Sequence, residues 1–199
     1  VADTPWLVVG LGNPGRRYVG NRHNVGQMVL DVLAERARAT LTSHRSGALV
    51  ADARLGTGPG GVPGPRVVLA RPGGYMNVSG PPIAALATFF DIDADRVLVI
   101  HDELDLAPEA LRLKLGGGEG GHNGLRSISR SLGTKDYARL RVGIGRPPGR
   151  MDPADYVLQD FAAAERGELA VTLELAADAV ADVVSDGFAP TQMRLHTAG

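Results

Sequence analysis

Apolar positions along the 199-residue chain follow two rhythms, and each predicts a different element. Trp6-Leu-Val-Val-Gly10 is a short apolar run closed by glycine, and Val67-Val-Leu-Ala70 and Val97-Leu-Val-Ile100 have the same form. Brief β-branched runs bounded by charge or glycine predict strands buried on both faces. Leu111-Arg-Leu-Lys-Leu115 and Leu140-Arg-Val-Gly-Ile144 alternate instead, which predicts strands with one covered face, and a further strand is expected over 48–54. Between them Val25, Met28, Val29, Val32 and Leu33 fall on one helical face, and Ile83, Leu86 and Ala87 begin a second helix after Pro81-Pro82. A third helix is expected from about Gly124 through Leu132. The clearest, over about 163–185, steps by three and four through Leu169, Leu173, Ala176, Val180 and Val183. Strands alternating with helices predict an α/β fold: one domain over 1–199, with a twisted sheet covered by helices on both faces. Gly56-Thr-Gly-Pro-Gly-Gly-Val-Pro-Gly-Pro65 lies between two of these strands and reads as a hairpin loop, not a domain linker.

Composition narrows the chemistry. The chain has no cysteine, which excludes a disulfide framework, a zinc ribbon and a thiol nucleophile. It contains no run of about 18 apolar residues, and no basic segment leads into an apolar stretch near its start, so a soluble cytoplasmic protein is expected. A formal net charge of −1 argues against a nucleic-acid partner until its distribution is considered. Residues 1–150 hold 19 Lys and Arg against 13 Asp and Glu, whereas 151–199 hold 2 against 9. That split allows a basic working face with an acidic helix opposite it, or simply a solvated acidic helix at the end of a neutral protein.

Gly10-Leu-Gly-Asn-Pro-Gly15 satisfies the spacing of a dinucleotide-binding loop directly after a strand. Such a site needs a helix opening on the glycines, yet no apolar periodicity begins before Val25, so a loop about ten residues long separates the two. That loop carries Asn13, Tyr18, Asn21, Arg22, His23 and Asn24, at the strand edge where open α/β sheets bind ligands. A lone histidine is more often structural than catalytic, so His23 needs a partner. Asp102, at the end of the Val97 strand, is the candidate: its carboxylate would accept from His23 Nδ1–H and leave Nε2 to take a proton from water. Asp102, Glu103 and Asp105 read equally as a solvated acidic turn. Gly74-Tyr-Met-Asn-Val-Ser-Gly80 and Gly116-Gly-Gly-Glu-Gly-Gly-His-Asn-Gly124 also follow strands. In them Asn77 and Asn123 offer neutral amides suited to an oxyanion or a sugar edge, or serve only as turn formers. Ser79 lacks the glycine elbow of a serine nucleophile, which favours an activated water.

Gly10-Leu-Gly-Asn-Pro-Gly15, Tyr18, Arg22-His-Asn-Val-Gly26, Tyr75-Met-Asn-Val-Ser-Gly80, His101-Asp-Glu-Leu-Asp105, Lys114-Leu-Gly-Gly-Gly118 and Gly120-Gly-His-Asn-Gly124 resemble the bacterial peptidyl-tRNA hydrolase family in order and spacing. Arg139-Leu-Arg-Val-Gly-Ile-Gly145 and Arg194-Leu-His196 extend the resemblance over nearly the whole chain. It implies a monomeric α/β protein with a mixed sheet that hydrolyses the ester between peptide and tRNA ribose, recycling tRNA from stalled translation. It implies no cofactor and no metal. It further implies His23 as general base, Asp102 as its orienter, and Asn13 as discriminator between a peptidyl group and a free aminoacyl amine. Tyr18, Tyr75, Asn77 and Asn123 would line the substrate site, and Lys114 and Arg141 would grip the tRNA 5′-phosphate, in keeping with the basic first 150 residues. Three features depart from the family pattern: Gly73-Gly74 where threonine is common, Glu119 inside the glycine loop near the RNA path, and the 56–65 loop. Three other readings stand beside this one. They are a dinucleotide-dependent oxidoreductase, a metal hydrolase built on His23, His101, Asp102, Glu103 and His122, and a non-catalytic RNA-binding module, for which 5% aromatic content is low.

Overall fold

A computed structural model describes residues 4–198. Strands β1 (Trp6–Gly10), β2 (Thr42–Ser43), β3 (Ala48–Arg54), β4 (Arg66–Pro72), β5 (Val97–Glu103), β6 (Leu111–Leu115) and β7 (Ala138–Gly143) form one sheet in the order β2-β3-β4-β1-β5-β7-β6. β4, β1, β5 and β7 run parallel, and the three outer pairings are antiparallel, so the sheet is mixed as expected. Helices α1 (Val25–Arg36), α5 (Arg166–Asp186) and α6 (Phe188–Thr197) cover one face; α2 (Gly80–Phe89) and α3 (Asn123–Leu132) cover the other. The single turn α4 (Pro153–Tyr156) lies in the crossing segment after β7. The Gly/Pro stretch at 56–65 is the β3–β4 hairpin connection, closed by a bridge between Thr57 and Pro63.

The alternation of side chains along each central strand separates the two cores. Trp6 and Val8 of β1, with Leu98 and Ile100 of β5, face α1 and α5; Leu7, Val9, Val97 and Val99 face α2 and α3. All are buried, each apolar side chain contributing roughly 1.5–3 kcal/mol.

The elements that periodicity did not announce are α6, α4 and β2. Gly187 (φ +95°) ends α5, and Pro190 stands in the first turn of α6, where no helical N–H is needed. The pair forms a corner between two helices. α6 then closes the free edge of β6: Gln192 Nε2 donates to Leu113 O at 2.9 Å, and Leu113 N donates to His196 Nε2 at 3.1 Å. Two side chains thus occupy backbone groups that would otherwise template pairing with another strand.

One contact fixes where α1 begins. A Cβ on Gly26 would lie 2.2 Å from Ile100 O and 2.8 Å from Leu11 N, and one on Gly10 would lie 2.5 Å from Gly26 O. Only glycine at both positions lets the first turn of α1 rest on the peptides at the end of β1 and the middle of β5. Gly26→Ala is expected to lower unfolding free energy by about 2–3 kcal/mol through overpacking, read as the shift in a urea midpoint at unchanged slope.

Candidate active site

The loop from β1 to α1 ends in a single 3₁₀ turn, Arg22–Asn24, which carries His23 to the carboxyl end of β5. There His23 Nδ1 lies 3.0 Å from Asp102 Oδ1 and 2.9 Å from Oδ2, so the two expected partners meet although 79 residues separate them. A second histidine completes the group. His122, at the cap of α3, accepts from the N–H groups of Gly124 (3.1 Å) and Leu125 (3.4 Å) at Nδ1, which places its proton on Nε2. Nε2 in turn donates to Asp102 Oδ1 at 2.8 Å. Burial alone would raise the Asp102 carboxyl. The protons presented by His122 and His23 outweigh that and hold it below the usual carboxylate range. The sequence showed His122 only as a candidate metal ligand; its role as a cap rests on the histidine standing directly before a helix.

His101 takes no part in this pair. Its Nδ1 donates to the Asp102 carbonyl at 2.7 Å, its Nε2 is buried without a partner, and burial followed by the neighbouring His122 lowers its pKa to about 3. It is therefore a neutral ring packed edge-on to His122.

The loops that carry the asparagines are tied to each other by backbone contacts. Asn24 clasps Asn13 through two bonds of 2.9 Å, accepting from its N–H and donating to its carbonyl. Asn13 Oδ1 accepts from Met76 N at 2.8 Å, which joins the loop after β1 to the turn after β4 and leaves Asn13 Nδ2 without a protein partner among the described residues. Tyr18 packs edge-on against Tyr75 with ring centroids 6.1 Å apart. Asn77 in the Met76–Val78 turn and Asn123 at the start of α3 are exposed. His23, Asp102, His122 and Asn123 line one cleft of about 180 Å³, roofed by Pro153, Ala154 and Val157. Asn13, Tyr18, Tyr75 and Asn77 lie outside that lining.

The roof segment is latched to the loop that carries His23. His23 N donates to Val157 O at 2.8 Å and Arg22 N to Gln159 O at 3.0 Å, while Asn21 Nδ2 donates to Asp160 at 2.6 Å. The Arg22 guanidinium meets both oxygens of Glu165 (3.2 and 3.0 Å) and lies over the rings of Tyr156 and Phe161. Part of the acidic final segment therefore sits beside the cleft and not only opposite it.

Lys114 and Arg141 face a second cavity of about 280 Å³, which shares His101, Glu103, Glu119 and Gly120 with the first. The fully buried Arg139 pins the glycine loop by donating to Gly118 O, to Gly117 O at 2.7 Å and to Lys135 O at 3.1 Å. No sequence signal separated this arginine from Arg141. Glu119, the departure inside the loop, lies 3.4 Å from Lys135 Nζ, so its charge is partly offset.

The alternative chemistries can be tested against these atoms. His23, Asp102 and His122 have the proximity of a metal triad. His122 Nε2, however, carries a proton fixed by the two N–H groups at Nδ1, so the donor set is that of a hydrogen-bond network. A dinucleotide needs free N–H groups where the helix opens, but Gln27 N in the first turn of α1 donates to Leu11 O at 3.2 Å. Ser79 Oγ donates to Met76 O beneath the turn, away from His23.

A histidine held by a buried carboxylate at the carboxyl edge of a parallel sheet, with neutral amides nearby and no thiol in the chain, is an arrangement suited to a hydrolase of α/β type. The peptidyl-tRNA hydrolase family model matches residues 7–199, and the chain belongs to that family. It is 61% identical over 191 residues to the peptidyl-tRNA hydrolase of Kineococcus radiotolerans, covering 96% of each chain. To that of Frankia alni it is 62% identical, covering 98% of this chain and 95% of the relative. The crystal structure of peptidyl-tRNA hydrolase from Acinetobacter baumannii superposes with a TM-score of 0.84 at 34% identity, over 97% of this chain and 94% of that one.

The neutral, buried His101 makes stability depend on pH. In the unfolded chain it titrates near 6.5 and in the folded chain at about 3. The unfolded state therefore binds more protons within that window, and stability that is full above about pH 6.5 is lost as pH falls toward 3. Between pH 7 and 5 the loss from this group is on the order of 2 kcal/mol. His101→Asn should flatten the pH dependence of the urea midpoint; parallel profiles for the two proteins would exclude His101 as its source.

Proposed function

We propose that this enzyme cleaves the ester between a peptide and the terminal tRNA ribose through a water activated by His23. The observation that carries the reading is the 2.9 Å contact of His23 Nδ1 with Asp102, which commits the Nδ1 proton to the carboxylate and makes Nε2 the basic nitrogen. Nε2 takes a proton from water as its oxygen attacks the ester carbonyl. Asp102 stabilises the imidazolium that forms, and the imidazolium then returns its proton to the departing ribose oxygen as the tetrahedral intermediate collapses. Asn77 and Asn123, whose amides are exposed, supply N–H donors to the oxyanion. Asn13 has its oxygen committed to Met76 N, so the substrate meets its Nδ2–H₂. That donor suits a peptide carbonyl and offers nothing to a free ammonium, which accounts for a preference for N-blocked substrates.

Tyr18 and Tyr75 pack the acceptor end against the asparagines, and Lys114 and Arg141 take the 5′-phosphate in the second cavity. The reaction fits a monomer of one domain acting in the cytoplasm. Among the described residues no helix is long and apolar enough to cross a membrane.

The test is peptide release from an N-acetylated aminoacyl-tRNA, with unblocked aminoacyl-tRNA as control. His23→Ala should lose about 10²–10⁴-fold in kcat while melting like the wild type. Asp102→Asn and His122→Asn should each reduce kcat by about ten-fold or more with KM little changed, since each disturbs the proton position and not the binding of RNA. Near-normal release by His23→Ala would overturn the mechanism.

A further inference from the structure

β6 and β7 pair with Arg112 opposite Arg141 and Lys114 opposite Arg139. Directly opposed residues of an antiparallel pair share a face, so two like-charged pairs stand side by side, an arrangement that destabilises a sheet unless the charges are met. Arg139 is met by three backbone carbonyls and Arg112 by Leu111 O. Lys114 has no carboxylate partner among the described residues, and the end of its side chain lies over Gly117. Arg141 alone of the four meets a carboxylate: its Nε donates to Glu103 Oε1 at 2.9 Å.

Glu103 differs from the other acids of this cavity. Asp105 is bonded to Arg146, and Glu119 is paired with Lys135, neither of which lines the cavity. Among the described residues, Glu103 is the one acid that sets its charge against a cation of the cavity itself. Both partners are largely buried, with side-chain exposures of 17% for Glu103 and 25% for Arg141, so solvent screens the pair only in part. The carboxylate holds Nε and leaves the two terminal nitrogens of Arg141 for an anion, beside Lys114. A phosphate monoester, doubly charged and able to accept from a guanidinium fork and an ammonium together, fits that chemistry.

We infer that Glu103 is a built-in competitor of the terminal phosphate, weakening its hold so that the tRNA product leaves. The inference rests on the reading that the Lys114–Arg141 cavity takes the 5′-phosphate. That phosphate is remote from the ester and unchanged by its cleavage, so it binds substrate, transition state and product alike. A stronger contact would lower KM without accelerating the chemistry and would retain deacylated tRNA. An anion placed against Arg141 sets the contact at a strength sufficient for capture and weak enough for release. Glu103 also forms part of the wall shared by the two cavities, where its charge disfavours the phosphodiester backbone from entering the ester cleft.

The test uses N-acetylated aminoacyl-tRNA carrying either a 5′-phosphate or a 5′-hydroxyl, with the wild type, Glu103→Gln and Glu103→Asp. Gln is isosteric and can still accept from Arg141 Nε, so the substitution removes the charge and keeps the bond. Glu103→Gln should raise the preference in KM for the 5′-phosphate by about three- to ten-fold over the wild type. It should also lower the inhibition constant of 5′-phosphorylated deacylated tRNA by a similar factor. Glu103→Asp, which keeps the charge, should shift both less. A wild type that prefers the 5′-phosphate, with Glu103→Gln unchanged or less selective, would overturn the inference and leave the phosphate site standing. An equal rise in both variants would also overturn it, because charge would then not be the cause. A wild type indifferent to the 5′-phosphate would overturn the assignment of the cavity itself, and the inference with it.

Discussion

The contact between the first turn of α1, the end of β1 and the middle of β5 is the constraint on which the site depends. Gly10 and Gly26 bring a helix backbone against two strand backbones at a distance that no Cβ permits. Because the 3₁₀ turn Arg22–Asn24 runs directly into α1, seating the helix at Gly26 also sets the position of His23 three residues earlier. β5 extends beyond its apolar core by three polar residues, His101, Asp102 and Glu103, and the second of these falls beneath His23. The contact of His23 with Asp102 is thus a consequence of how closely one helix approaches one pair of strands. The Asn24–Asn13 clasp and the latch from Arg22 to Glu165 hold the same turn from two other sides.

Once there, Asp102 is a carboxylate almost without water, and an isolated buried charge of that kind is costly. The two histidines that face it offset the cost. His122 is obliged to donate because the α3 amides occupy its other nitrogen, and His23 donates from the opposite side. His101 is neutral and Arg139 is held on carbonyls, so among the described residues the side-chain partners of the Asp102 carboxylate are His23 and His122.

Much of this was legible in the sequence, and the reasons divide cleanly. Strands β1, β4 and β5 announce themselves because a strand buried on both faces must be apolar throughout, and α1 and α5 because each covers a sheet with one stripe. His23 and Asp102 were legible as residues at strand ends, but their contact was not, because it depends on the order of β1 and β5 in the sheet. Asn13, Asn77 and Asn123 were visible as amides; that Asn13 turns its nitrogen outward follows from a bond to Met76 across 63 residues. His122 was ambiguous for a different reason. A histidine cap looks, in sequence, like any histidine in a glycine loop, and its tautomer is decided by amides that exist only once α3 has formed. The charge and the helix of the segment after residue 150 were legible, but its place beside the cleft was not: Asp160 and Glu165 are pinned to the loop that carries His23 by specific bonds.

The two cavities differ along a physical line. The cleft at His23 sets neutral donors around the buried carboxylate of Asp102, with Glu103 and Glu119 on the wall it shares with its neighbour. The cavity at Arg141 carries opposed fixed charges, Lys114, Arg139 and Arg141 against Glu103, Asp105 and Glu119. The shared wall of His101, Glu103, Glu119 and Gly120 keeps them apart while leaving them contiguous. Its two strand residues are adjacent in kind but opposite in state: His101 is held neutral by burial, whereas Glu103 forms an ion pair with Arg141. They lie two positions apart on β5 and so on the same face, which lets one short segment of strand line both cavities.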